Sequence, residues 1–164
     1  MDVLILMGSD SDAAVMSAAG DVLRDFGLTW RMTVASAHRS PARVLRLIEE
    51  AHAGGVKVFI IGAGAAAHLA GVVAAHTTKP VIGVPIDSSA LKGFDALLST
   101  VQMPPGVPVA TVAVGKPGAT NAGVLAAQMI ALGDAGMAAK LVDYKKKLEA
   151  KVEAAAKRLE DAGQ

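Results

Sequence analysis

The sequence predicts a doubly wound α/β protein built on a parallel sheet, and three observations carry that prediction. Short β-branched or Leu-rich runs recur at 2–7, 29–35, 57–61, 80–84 and 108–114. Segments of helical periodicity separate most of them. The runs are almost continuously apolar, as strands covered by helices on both faces are, and do not alternate as half-solvated antiparallel strands do.

The elements follow in order. After the first run, Val15, Ala18, Ala19, Val22, Leu23 and Phe26 recur at three- and four-residue spacing, which predicts a helix over 12–26 with Gly27 as its C-cap. A second helix opens at Ser40-Pro41, with a hydroxyl at the N-cap and Pro at N1, and runs to His52 before Gly54-Gly55. Helices are expected near 65–76, 89–99 and 119–133. Residues 58–75 carry no charge and match a membrane span in length. Ten of those eighteen residues are Ala or Gly and His68 lies among them, so strand, glycine turn and buried helix is the better reading.

The last segment, 135–161, places Met137, Leu141, Tyr144, Leu148, Val152, Ala155 and Leu159 on one stripe of a helix otherwise covered by charged side chains. At 1.5 Å per residue such a helix is about 40 Å long, more than a small domain easily covers. Either part of the stripe docks on another subunit, or the helix lies across its own sheet.

A chain of 164 residues is expected to form one domain, 1–164, with 1–133 as the α/β core. Apolar residues make up 52% and charged residues 19%, a globular composition. Sixteen Lys plus Arg against fifteen Asp plus Glu leave +1, so no broad positive field draws nucleic acid or anionic lipid. The single Trp30 and few aromatics offer no stacking platform for single strands. With no cysteine there is neither a disulfide nor a thiolate metal site, in keeping with a reducing cytoplasm. The first residues show no basic stretch, and their apolar run is too short for a signal peptide.

Ligands of open α/β sheets bind beyond the carboxyl ends of the strands, which directs attention to three loops. Gly8-Ser9-Asp10-Ser11-Asp12 follows strand one: its hydroxyls and helix N-terminal N–H groups suit a phosphate and an Asp suits ribose hydroxyls, although Ser11 or Asp12 also reads as a simple helix cap. Ser36-Ala37-His38-Arg39-Ser40-Pro41 follows strand two and sets an imidazole beside a forked cation, unless the histidine is an incidental surface residue. Gly62-Ala63-Gly64-Ala65-Ala66-Ala67-His68-Leu69-Ala70-Gly71 follows strand three and lets backbone approach a flat ring; close helix–strand packing is the alternative.

That third loop also reads G-x-G-x-x-A with Asp87 further on, a dinucleotide fingerprint, but it follows the third strand where the fingerprint belongs on the first. A phosphosugar sensor without catalysis would use the same loops. The chain has no G-x-x-x-x-G-K-[ST] and no G-x-S-x-G. His38, His52, His68 and His76 lack metal-ligand spacing, and no cofactor is implied. His52 and His76 fall late in their helices and read as solvated.

Taken together, Met7-Gly8-Ser9-Asp10-Ser11-Asp12, Ser36 to Pro41, Ala63-Gly64 with Ala67-His68-Leu69, Gln102-Met103-Pro104 with Gly106-Val107-Pro108-Val109, and Asn121-Ala122 resemble the N5-carboxyaminoimidazole ribonucleotide mutases of purine biosynthesis. The resemblance implies a flavodoxin-like three-layer αβα sandwich and a homo-octamer with active sites at subunit contacts. It also implies an ATP-, metal- and biotin-independent transfer of carboxylate from the exocyclic nitrogen to ring carbon four. By position, Ser9, Asp12 and Arg39 match phosphoribosyl-binding residues, with Ser11, Ser36 and Ala37 nearby. His38 matches the catalytic histidine, and Ala63, Gly64, His68 and Leu69 match the wall of the base and carbon dioxide pocket. Ala65 and Ala70 stand where the mutases usually carry Gly and Pro, so a narrower pocket and a looser turn are expected. The related carboxylases, which use free carbon dioxide, carry an Arg-Ser-Asn-like loop, whereas Ala67-His68-Leu69 resembles the mutases.

Overall fold

Parallel strands must leave a sheet on one edge together, and here the register enforces it. In the computed structural model, which describes residues 1–163, strand β1 (Val3–Met7) pairs with β2 (Trp30–Val34) on one side and β3 (Val58–Gly64) on the other. β3 pairs with β4 (Val81–Ile86), and β4 with β5 (Ala110–Thr111). All pairs are parallel and the order is β2-β1-β3-β4-β5. β1 and β4 are buried at every position, which explains their uninterrupted apolar sequence. β2, an edge strand, is only half buried.

Helices α1 (Ala13–Phe26), α2 (Pro41–Ala53), α3 (Leu69–Ala75), α4 (Phe94–Val101), α5 (Gly115–Ala131) and α6 (Ala135–Ala162) complete the chain. Leu4, Leu6, Phe59 and Ile61 join Val44, Leu47 and Ile48 of α2, Val73 of α3 and Ala96 of α4 in one buried cluster. The opposite sheet face meets α1 through Met16, and Gly123 of α5 lies against Ala19 and Val22 of α1. Helices on both faces of a 2-1-3-4-5 parallel sheet make the flavodoxin-like arrangement.

The chain divides into two compact units, Met1–Ala126 and the segment from Ala127 onward, with the boundary inside α5. The second unit is dominated by α6, whose N-cap Asp134 accepts from the Met137 N–H at 3.0 Å. Its apolar stripe emerges into solvent along its length: Met137 is 5% exposed, Leu148 38%, Val152 68% and Leu159 76%. Among the described residues no helix is long and apolar enough to cross a membrane.

Several boundaries differ from the sequence reading, each for a local reason. Gly62, Ala63 and Gly64 continue β3, paired with Val84, Pro85 and Ile86, and are not loop. Gly62 belongs there because a Cβ would lie 2.5 Å from Met16 Sδ, which is the helix–strand packing reading of the glycines. β5 shrinks to two residues with Pro108, which has no N–H to give a ladder, just before it. α3 begins at Leu69 and α4 at Phe94, later than expected, because positive φ at Ala65 (50°) and at Lys92 and Gly93 (50° and 84°) bars helix there. Gly27 caps α1 as expected (φ 75°), with its N–H on the Arg24 and Leu23 carbonyls. Ser40 precedes α2 and Pro41 opens it, but the Ser40 hydroxyl makes no cap bond.

The amino ends of β1, β2 and β3 are fastened by Asp2. Its N–H donates to the Thr29 carbonyl, its carbonyl accepts from Lys57 N–H, and its carboxylate accepts from Thr29 N–H and pairs with Lys57 Nζ, both at 2.9 Å. Partial burial pushes this carboxyl up, but the Thr29 and Lys57 hydrogen bonds and the Lys57 charge outweigh it and hold the pKa at about 2, below 3.8. A depressed acid contributes its stability above its ordinary pKa and loses it as pH falls through the folded value. Stability measured by denaturant titration should therefore decline between pH 3.8 and about 2, and Asp2→Asn should flatten that part of the curve. Gly62→Ala should cost about 1–3 kcal/mol in the same titration, because the new methyl has to displace Met16.

Candidate functional site

Met7, the last residue of β1, pairs with both Val34, the last of β2, and Gly62, so the loops after β1 and β2 leave the sheet at one level and β3 runs two residues further, to Gly64, before its own loop begins on the same side. The strand order reverses between β1 and β3, where a crevice forms in open α/β sheets. In the first loop, Ser9 N-caps a short 3₁₀ turn (Asp10–Asp12): its hydroxyl accepts from Ser11 N–H at 3.3 Å, while the Asp12 carboxylate accepts from Ser9 N–H at 3.2 Å. The cap is thus Ser9 and not Ser11 or Asp12: Asp12 precedes α1 without a side-chain cap bond and instead closes the capping box with Ser9, and all three residues line the crevice. Asp12 is buried, and burial pushes its carboxyl up against the lowering pull of the Ser9 N–H and Ser11 hydroxyl; Asp10 adds to the rise.

The second loop is braced from within. The Ser40 hydroxyl accepts from Ser36 N–H at 3.0 Å and donates to the Ser36 carbonyl at 3.2 Å, while Ser36 Oγ accepts from Arg39 N–H at 3.1 Å. This internal use of Ser40 is why it does not cap α2. The tight turn turns the exposed His38 and Arg39 side chains out over the strand ends, and Arg39 donates to the Gly8 carbonyl at 3.0 Å, tying loop two to loop one.

The third loop supplies small residues and a second imidazole. His38 Nε2 and His68 Nδ1 lie 2.8 Å apart, with the rings edge to face at 84°. One ring must donate and the other accept, so the two tautomers are set together. From α4, the Ser99 hydroxyl donates to the Asp95 carbonyl of its own helix at 2.7 Å and accepts from Ala67 N–H at 3.1 Å, fixing the loop before His68. Ala65, expected to narrow the pocket, does line it, and it does so in the left-handed region at φ 50°. Ala70, expected to loosen the turn, is buried in the first turn of α3, where alanine is a good helix former. Met103, from the Gln-Met-Pro motif, packs against Gly71 of α3.

The three loops enclose a cleft of about 280 Å³. The residues matched by position to the mutase site all line it: Ser9, Ser11, Asp12, Ser36, Ala37, His38, Arg39, Ala63, Gly64, His68 and Leu69. A second hollow of about 320 Å³, lined by Asp10, Val34 and Ser40, adjoins it and shares Gly8, Ser9, Ser36 and Arg39. One end therefore gathers hydroxyls, helix-start amides and a guanidinium, suited to an anion; the other gathers two imidazoles and side chains no larger than Leu, suited to a flat ring. Sequence reasoning missed Ser88, which enters after β4 by the same strand-end rule but sits in no recognisable motif. Asp87, the acid of the dinucleotide reading, is not among the lining residues and lies beside Gly93 and Gly115. His52 bonds Thr77 Oγ1 at 2.7 Å and His76 the Val72 carbonyl at 2.8 Å, both outside the cleft. Among the described residues no three His, Cys, Asp or Glu are grouped to hold a metal ion.

Fold and cleft define a flavodoxin-like α/β protein with a cleft at the carboxyl ends of its strands. The AIR carboxylase family profile matches residues 2–151, and the chain belongs to that family. The chain is 48% identical over 159 residues to the N5-carboxyaminoimidazole ribonucleotide mutase of Thermotoga maritima, covering 97% of this chain and 92% of that protein. It is 53% identical over 137 residues to the Bacillus subtilis protein of the same name, covering 84% and 85%. The phosphoribosylaminoimidazole carboxylase of Saccharomyces cerevisiae is 49% identical over 159 residues, but the match spans 28% of that longer protein. A crystal structure of Treponema denticola PurE superimposes with a TM-score of 0.87 at 29% identity, over 96% of this chain and 97% of that one.

The positive φ at Ala65 stores strain in the wall of the cleft, since a Cβ in that region costs roughly 1–2 kcal/mol. Ala65→Gly should raise the stability by up to about 1 kcal/mol in thermal or chemical unfolding, because glycine's greater freedom in the unfolded chain offsets part of the relief. An unchanged or lower melting temperature would show that Ala65 is not strained.

Proposed function

We propose that this protein is an N5-carboxyaminoimidazole ribonucleotide mutase, a reading carried above all by the His38–His68 pair facing a wall of Gly and Ala at the end of a cleft whose other end suits a phosphate. The mutases match it over most of their length, and Ala67-His68-Leu69 stands where the carboxylases that take free carbon dioxide carry an Arg-Ser-Asn-like loop, which favours the mutase. Ser9, Ser11 and Arg39 hold the phosphate, Asp12 accepts from the ribose, and Ser36 and Ala37 keep the second loop against the sugar. Ala63, Gly64, His68 and Leu69 form the wall against which the imidazole lies.

The N5–carboxylate bond breaks with its electron pair left on nitrogen, which takes a proton from His38, and carbon dioxide remains beside the ring. Ring carbon four then attacks it, forming the new carbon–carbon bond, and His38 removes the proton that carbon four must lose. A single imidazole thus gives one proton and recovers one, so no net acid or base is consumed. Each transfer contributes about 10²- to 10⁴-fold. Recapture depends on confinement, which turns a bimolecular encounter into an effectively unimolecular step. His68, at 2.8 Å, holds the His38 ring over the wall and fixes its tautomer before substrate enters.

The stripe of α6 gives the second part of the proposal. Val152 and Leu159 are largely exposed, and we place them in contacts between copies of this chain in a cytoplasmic homo-octamer, with each copy a single domain of 164 residues. Replacing both by Glu should lower the mass seen by light scattering, while an unchanged mass would remove α6 from the assembly.

The activity is tested by supplying N5-carboxyaminoimidazole ribonucleotide in one reaction and aminoimidazole ribonucleotide with bicarbonate in another, following the 4-carboxy product. Rapid product only from the first substrate is expected; product only from the second would make the protein a carboxylase, and nucleotide binding without product would make it a sensor. His38→Asn should lower turnover by at least about 10²-fold while leaving nucleotide affinity within a few-fold. Wild-type-like turnover in that variant would remove His38 from the reaction.

A further inference from the structure

The hydroxyls at the anion end of the cleft bond within their own loops, and a bound phosphate would exchange those bonds for its own. Ser9 Oγ donates to Asp10 at 3.2 Å, Ser11 Oγ donates to Ser9 Oγ at 2.9 Å, and Ser36 Oγ accepts from Arg39 N–H at 3.1 Å. Ser88 is the exception. It lines the cleft from the carboxyl end of β4, and among the described residues its hydroxyl meets no hydrogen-bond partner. Its position is set tightly: a Cβ on Gly64 would lie 1.9 Å from Ser88 Oγ, so the hydroxyl rests directly on the Gly64 backbone. Gly64 is thus needed less for its own conformation than to leave room for this oxygen. The surrounding wall, Ala63, Ala65, Ala66 and Leu69, has no side-chain donor, so Ser88 is the hydroxyl of the ring-binding end.

We propose that Ser88 is a further substrate-contacting residue, whose hydroxyl donates to an oxygen of the migrating carboxyl group and keeps it beside the ring. This rests on the mutase reading. As the N5–carboxylate bond breaks, the carboxylate loses its charge and becomes carbon dioxide; as carbon four attacks, negative charge returns to the same oxygens. A fixed donor at that place is strengthened as charge returns and favours recapture over escape. A hydrogen bond to a charged group corresponds to a change of about ten- to a hundredfold in rate.

The test supplies N5-carboxyaminoimidazole ribonucleotide to wild type, Ser88→Ala and Ser88→Cys in buffer containing isotopically labelled carbon dioxide, and reads turnover, KM, the label in the 4-carboxy product and the melting temperature. In both variants kcat should fall by about ten- to a hundredfold and label incorporation should rise, with KM within a few-fold and the melting temperature unchanged. A Ser88→Thr variant that keeps the hydroxyl should recover part of the retention of unlabelled carboxylate. Wild-type turnover and label retention in Ser88→Ala would overturn the proposal. So would a defect in Ser88→Ala that Ser88→Cys, which restores volume without a strong donor, repairs fully. If wild type itself makes no 4-carboxy product from this substrate, the functional reading fails and this one with it.

Discussion

The site depends on one constraint, the parallel pairing of β1 between β2 and β3 in matched register. Because Met7 is opposite both Val34 and Gly62, β1 and β2 end at one height and β3 ends two residues beyond it, on the same side of the sheet. A shift of one residue in either pair would turn the strand faces over and move a loop by more than 3 Å along the sheet. The His38–His68 contact and the Arg39–Gly8 bond both bridge different loops, and both need that register. Asp2 fixes the opposite ends of the same three strands, so the register is held at both edges of the sheet.

Chemistry at the site comes from an unequal division of a single cleft. Charge, hydroxyls and helix-start amides are collected where loops one and two meet, while loop three has almost nothing but backbone and methyl groups. Such a wall serves a reaction in which a small neutral molecule is made and must be used before it leaves. The exposed imidazoles stand at the border between the two regions, within reach of a proton on either. Ser99 and Ser40 lie behind this surface and hold its loops, one from α4 and the other within the turn itself.

Much of this was legible in the sequence because the residues in question answer to a single local rule. β1 and β4 are buried on both faces and read as unbroken apolar runs; Gly27 and Pro41 mark helix ends by their backbone limits; the cleft residues directly follow strands. The parts that were not legible involve competition between distant groups. Gly62 and Gly64 looked like a loop, yet they are strand residues whose missing side chains make room for Met16 and Ser88, some 46 and 24 positions away. The Ser40 hydroxyl looked like a cap, and the nearer Ser36 backbone claimed it. Ser88 carried no motif at all, and its place follows only from knowing where β4 ends. Ala65 was read by volume, whereas its backbone angle is the larger departure.

The central claim is that a single nucleotide spans the cleft, with its phosphate at Ser9 and Arg39 and its ring on Gly64 beneath His38. The most direct measurement is a crystal structure of the protein with 4-carboxyaminoimidazole ribonucleotide bound. The phosphate should lie within hydrogen-bonding distance of the Ser9 hydroxyl and the Arg39 guanidinium, and the ring carboxylate beside Ser88, with His38 freed from His68 or facing ring carbon four. A nucleotide bound in the reverse direction, or outside these loops, would contradict it.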